Sequence, residues 1–77
     1  SMVQRLADKL DRNPEDVDGW IRLGRAYRVL GENQKARQSF TEGKRQLEKL
    51  VGGTAQNSPS RKTIETKLEA LEILINE

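Results

Sequence analysis

The chain has 77 residues, of which 34% are hydrophobic and 34% charged, with a net charge of +2 and a mean hydropathy of -0.83. A chain this short has room for one small domain, which excludes a multidomain enzyme. The sequence contains no Cys and no His, which excludes disulfides, Cys or His zinc sites, a His general base and a Cys nucleophile. The fold must therefore be stabilised by the packing of apolar side chains.

Membrane and targeting signals are missing from the sequence. The longest apolar run, Ile73 to Ile75, has three residues, whereas a spanning helix needs about 20. The stretch from Met2 to Asp11 carries charges of both signs and lacks the apolar run of a signal peptide. Ser1 before Met2 is typical of a cloning remnant. We therefore expect residues 1–77 to be a single domain of a longer protein.

Helical periodicity dominates the first half of the chain. Apolar residues recur at helical spacing in a first helix, predicted over 2–13, at Val3, Leu6, Ala7 and Leu10. Asn13 is suited to capping a second helix, and Pro14 to its first turn, which predicts a helix over about 15–30. Gly31 can adopt the left-handed conformation that ends it. The sequence thus predicts two helices before residue 31.

Two more helices are predicted after the Gly31 turn. The third runs to about Val51, where Gly52 and Gly53 end it, and 52–60 has the composition of a linker. Ser58 and Pro59 favour the start of a fourth helix, assigned to 60–76. Its apolar positions at helical spacing are Ile64, Leu68, Leu71 and Ile75, with Leu74 widening the face. The predicted fold class is all-α.

The second and third helices carry a packing pattern that resembles a tetratricopeptide (TPR) repeat. Its positions in this chain are Trp20, Leu23, Gly24, Tyr27, Ala36 and Phe40. Trp20, Leu23 and Tyr27 fall within about 60° on a helical wheel. Gly24 leaves space for the facing helix, which supplies the small Ala36 and the large Phe40. Glu48 replaces the proline that normally closes the pattern, and an ordinary helical hairpin core is the alternative.

The TPR resemblance also assigns roles to the outer helices. One period of about 34 residues earlier, Phe40 corresponds to Leu6 and Ala36 to Met2, so the first helix is the second half of a preceding repeat. The fourth helix lacks the pattern and is expected to cap the stack, with Ile73 on its exposed side. The resemblance implies a fragment of a right-handed α-solenoid: a hairpin over 15–51 between a half-repeat helix and a capping helix.

The face of the second helix opposite the hairpin core is the predicted partner-binding groove, because TPR domains line their peptide groove with the first helix of each hairpin. One arc of about 120° holds three arginines, an aspartate and two aliphatic residues: Asp18, Ile21, Arg22, Arg25, Arg28 and Val29. This mixture suits an amphipathic helix or an acidic peptide terminus. The alternative is that the arginines are simply solvated.

A narrower resemblance covers residues 2–40. The strings Met2 to Ala7 (MVQRLA) and Asp16 to Trp20 (DVDGW) look like the TPR segment of bacterial c-type cytochrome biogenesis factors, whereas residues 52–77 match less clearly. That family implies a periplasmic domain of an inner-membrane-anchored protein. It implies that the domain binds the C-terminal helix of apocytochrome c and holds this protein for haem ligation. The other haem ligation subunits are further implied partners. A general TPR scaffold for another peptide is the alternative.

Other function classes are less well supported. Nucleic acid is not an expected partner, because all three aromatic residues are assigned to the core and no stacking platform remains. Catalysis would have to rest on Asp8 and Asp11, or on Asp11 and Glu15, which alternate with basic residues as ordinary surface charges do. We expect no enzyme activity, no metal and no cofactor; with His absent, no haem ligand is apparent. A homodimer formed by swapping the fourth helix remains an open prediction.

Overall fold

The structure, a computed structural model, describes residues 1–53 and 58–77. Four helices follow one another, and the described residues contain no strand. They are α1 (Met2–Arg12), α2 (Val17–Val29), α3 (Asn33–Gly52) and α4 (Pro59–Asn76). The predicted all-α class is therefore confirmed. Part of the predicted linker, residues 54–57, lies outside the described residues. Within the described ranges, no helix is both long enough and apolar enough to cross a membrane.

The corner between α1 and α2 differs from the prediction. Asn13 ends α1 instead of capping α2: its backbone N–H and its side-chain amide both donate to the Lys9 carbonyl, at 3.0 and 3.3 Å. Asp16 caps α2, because its Oδ1 accepts a hydrogen bond from the Gly19 backbone N–H at 3.1 Å. The predicted role of Asn13 was wrong because its side chain is already bonded to the preceding helix.

The predicted left-handed glycine between α2 and α3 is confirmed. Gly31 has a φ of 78° and is the one positive-φ residue in the described ranges. Its N–H donates to the Arg28 carbonyl at 3.0 Å, and the next N–H, of Glu32, donates to Tyr27 at 2.9 Å. These two bonds form a Schellman motif, which satisfies carbonyls at the end of α2.

The start of α4 also follows its local sequence. Ser58 caps the helix by accepting a hydrogen bond from the Arg61 backbone N–H at 3.1 Å, and Pro59 occupies the first turn. Proline is favoured there because its ring presets φ and its missing N–H would be unpaired in any case. The prediction that Ser58 and Pro59 begin the helix is confirmed.

The core is built by stacking the helices in chain order, with α1 on α2, α2 on α3 and α3 on α4. The buried apolar side chains are Leu10, Val17, Leu23, Ala36, Phe40, Leu47 and Leu71. Leu71 has no exposed surface, and Ile64, Leu68, Leu74 and Ile75 pack around the same cluster. The α4 face expected to seal the stack does pack on α3 within the same chain.

Two residues, one near each end of the chain, test the expected pattern of exposure. Ile73 is 63% exposed, as its position on the outer side of α4 predicted. Met2, which the repeat period placed at a packing position, is 85% exposed, so that expectation was wrong. None of the described helices covers the N-terminal turn of α1.

Candidate protein-interaction surface

The helix α4 runs parallel to α2. Two ion pairs connect them: Asp18 Oδ1 to Lys67 Nζ at 3.2 Å and Arg28 Nη2 to Glu77 Oε2 at 2.5 Å. Both pairs join residues 49 apart in the sequence, so the two helices keep the same register along their length. Ten residues of helix separate the pairs, about 15 Å. The first helix of the hairpin thus has a neighbour whose direction and register are both defined.

We use the name α2 surface for the six residues predicted to line the partner groove: Asp18, Ile21, Arg22, Arg25, Arg28 and Val29. The structure brings four of them together in a hollow of about 350 Å³, namely Asp18, Ile21, Arg22 and Arg25. Arg28 lines a separate cleft of about 220 Å³, where α2, α3 and α4 meet. Val29 lies outside both and is 87% exposed.

The contacts with α4 divide the α2 surface into bound and free side chains. Asp18 and Arg28 are engaged by Lys67 and Glu77, and Ile21 is half-buried against the core. The side chains of Arg22 and Arg25 are exposed, and neither forms a hydrogen bond or an ion pair with any residue in the described ranges. The predicted row of three free arginines is therefore a pair of free arginines, with one exposed aliphatic residue, Val29, beyond them.

The part of the α2 surface that α4 does not contact through ion pairs is positively charged. The Asp18–Lys67 and Arg28–Glu77 pairs neutralise themselves, but their side chains are about half exposed, so each adds no more than about 1 kcal/mol to stability. Arg22 and Arg25 lie one helical turn apart and repel each other slightly. Two adjacent guanidinium groups present paired donors for carboxylates, so an incoming acidic group would relieve this repulsion.

The hairpin core residues are placed by the structure at different depths. Leu23, Gly24, Ala36 and Phe40 are buried, whereas Trp20 and Tyr27 are only half-buried. The indole Nε1 of Trp20 donates to the Pro14 carbonyl at 2.8 Å. Both aromatic rings therefore retain accessible surface, which the helical wheel alone does not reveal.

Sequence reasoning did not identify the α4 residues beside the α2 surface. Lys67 and Glu77 are ordinary charged residues in the sequence, and nothing local marks them as partners of α2. The one signal in the sequence was a shared spacing: an acidic and a basic residue lie ten residues apart on α2, at Asp18 and Arg28, and again at Lys67 and Glu77. The acidic residues considered for catalysis, Asp8, Asp11 and Glu15, are exposed. No group of three carboxylates suited to a metal ion occurs in the described part of the chain.

Two known proteins are similar in sequence to this chain. It is 38% identical over 63 residues to the cytochrome c-type biogenesis protein CycH of Bradyrhizobium diazoefficiens, across 82% of this chain and 17% of that protein. It is 39% identical over 44 residues to the protein of the same name from Rhizobium meliloti, across 57% of this chain and 12% of the relative. The chain thus spans less than a fifth of the length of either relative. No protein-family model and no solved structure matches it.

These similarities support part of the resemblance drawn from the sequence. The relatives carry the name of c-type cytochrome biogenesis proteins, the group that the strings in 2–7 and 16–20 predicted. The TPR character of the hairpin stays a prediction, since no family model matches. This chain departs from the repeat pattern at two points. Glu48 stands at the proline position, and the paired residues of α2 and α4 are 49 residues apart, whereas the repeat period is about 34.

Proposed function

We propose that this chain is a protein-interaction domain of a c-type cytochrome biogenesis system, and that its α2 surface holds the C-terminal helix of apocytochrome c for haem ligation. The observation that carries the proposal is that Arg22 and Arg25 are exposed without a neutralising partner in the described residues, next to Ile21 and Val29. Two ion pairs to α4 hold the same helix in position. The names of the relatives support the biogenesis role. The proposed location is the periplasm, with attachment to the inner membrane through other parts of a longer protein.

The chemistry of the surface fits an amphipathic helix with acidic residues. Carboxylates one turn apart on the partner would each meet a guanidinium, because Arg22 and Arg25 have the same spacing on α2. An apolar side chain further along the partner would cover Val29, which is otherwise almost fully in water. The other haem ligation subunits are proposed as further partners at surfaces that do not include this pair of arginines.

The function can be tested by fluorescence anisotropy with a labelled peptide from the C-terminal helix of a c-type cytochrome. We expect saturable binding that weakens at least about tenfold, or 1.4 kcal/mol, in the double variant Arg22→Glu/Arg25→Glu. The matched control is Arg5→Glu/Lys62→Glu, which changes the net charge equally at two exposed basic residues outside the α2 surface. We expect this control to bind like the unchanged chain.

Two results would contradict the proposal. Absence of binding by the unchanged chain would reject apocytochrome c as the partner, and equal losses in both double variants would reject the α2 surface as the site. An unrelated acidic amphipathic helix serves as a second probe. If it binds as tightly as the cytochrome peptide, the general adaptor function replaces the specific one.

A further inference from the structure

A second cleft lies on the other side of α2, between α1 and α3. Its volume is about 530 Å³, and its floor includes Trp20 and Tyr27. On the α2 wheel these aromatic residues point away from Arg22 and Arg25 by roughly 140° or more. A ligand in this cleft would therefore not touch the α2 surface, and the two sites can be tested separately.

The aromatic floor already accommodates one cation. Lys35 Nζ lies 5.8 Å from the centroid of the Tyr27 ring, within the range of a cation–π interaction. Trp20 lies two helical turns from Tyr27 in the same cleft, and its indole N–H is bonded to the Pro14 carbonyl. No basic side chain of the described residues occupies the equivalent position at Trp20. Indole offers the strongest cation–π face of any side chain.

Two carboxylates line the cleft together with Trp20. Asp11 lines it from α1 and forms no ion pair with any residue of the described ranges. Glu42 lines it from α3, where its Oε1 already accepts hydrogen bonds from Arg45 at 3.3 Å and Gln46 at 3.2 Å. The Asp11 carboxylate is therefore available to pair with a cation, and Glu42 adds a second negative charge to the cleft.

We propose that this cleft binds a basic peptide segment of a protein partner, with an arginine or lysine side chain seated on Trp20 and paired with Asp11. An aromatic face beside a free carboxylate attracts a cation through both its quadrupole and its charge. The half-buried Ala7 of α1 lines the same cleft and would contact the stem of that side chain, since long basic side chains cover apolar surface with their methylene groups. The domain then has two opposite faces, one for acidic and one for basic segments.

The experiment uses the sole tryptophan of the chain, Trp20, as its reporter. The probe is a peptide of alternating leucine and arginine with no aromatic residue, and its control has citrulline, the uncharged analogue, at each arginine. We expect the arginine peptide to shift both the Trp20 emission and the single indole N–H resonance in NMR spectra. The citrulline peptide should bind at least about threefold more weakly, as the loss of a cation–π contact alone requires.

Variants separate this cleft from general electrostatic attraction. Asp11→Asn should weaken binding of the arginine peptide about threefold or more. The matched control Asp8→Asn removes an exposed carboxylate one turn earlier on α1, outside the cleft, and should leave binding unchanged. Arg22→Glu/Arg25→Glu should leave the indole response in place. No indole response to the arginine peptide, equal binding of the citrulline peptide, or equal effects of the two aspartate variants would overturn the proposal.

Discussion

The ring of Phe40 occupies the space where a side chain at Gly24 would begin. A Cβ placed on Gly24 would lie 2.4 Å from Cε1 of Phe40 and 2.6 Å from its Cδ1. The Phe40 side chain is 1% exposed, so its ring belongs to the buried core between the two helices. The separation of α2 and α3 is thus set by a direct contact between an aromatic ring and a helical backbone.

This contact predicts that Gly24→Ala destabilises the domain. Alanine favours a helix interior by about 1 kcal/mol over glycine, but the overlap with Phe40 forces the helices apart, so we expect a net loss of about 1–3 kcal/mol. Urea unfolding followed by circular dichroism measures the difference. Gly52→Ala is the matched control, because nothing lies within 4 Å of its Cβ position. Equal stability of the two variants would show that the Phe40 contact does not limit the helix separation.

The position of the helix cap gives a second prediction. Asp16→Ala removes the acceptor for the Gly19 N–H and should cost about 0.5–2 kcal/mol. Asn13→Ala should cost less, because the Asn13 backbone N–H keeps its bond to Lys9 after the side chain is lost. Thermal melting of both variants decides between them. A larger loss at Asn13 would mean that α2 starts where the local sequence pattern first placed it.

The turn after α2 gives a third prediction. Gly31 has open space around its Cβ position but a φ of 78°, so Gly31→Ala should lose about 1–2 kcal/mol through backbone strain alone. Gly31→Asn should lose less, because asparagine tolerates the left-handed region better than other residues with a side chain. Chemical unfolding compares the two. If alanine is tolerated as well as asparagine, the Schellman geometry is not required for the hairpin.

Attachment of α4 gives a fourth prediction. Leu71 is fully buried, whereas Ile73, two residues later, is 63% exposed. Leu71→Ala should cost about 2–5 kcal/mol, a large share of the stability of a small domain. Ile73→Ala should stay within about 0.5 kcal/mol. Unfolding curves for both variants test whether α4 unfolds together with the rest of the domain. Similar small losses of stability for both variants would show that it does not.

The sequence predicted those parts of the fold that depend on neighbouring residues. The Gly31 turn and the Ser58–Pro59 start follow from backbone preferences within a few residues, and the structure confirms both. The start of α2 was misplaced because Asn13 and Asp16 are both good caps, and only the bond from the Asn13 side chain to Lys9 separates their roles. Met2 was misplaced because a repeat period gives a position but does not provide the helix that would cover it.

The candidate site depended on more distant contacts. Helical periodicity identified which residues share a face of α2, but the partners of Asp18 and Arg28 lie 49 residues away. No local pattern distinguishes the engaged Arg28 from the free Arg25. The half-burial of Trp20 was equally hidden, since it depends on the open space between α1 and α3.

The two ion pairs between α2 and α4 have opposite polarity. The acidic residue belongs to α2 at one end, Asp18, and to α4 at the other, Glu77. If α4 ran in the opposite direction, Glu77 would lie beside Asp18 and Lys67 beside Arg28, so each attraction would become a repulsion. Exposed pairs of this kind add little to stability, yet their arrangement distinguishes one direction of α4 from the other. The same selection applies to an α4 supplied by a neighbouring copy, which would have to dock in the same direction.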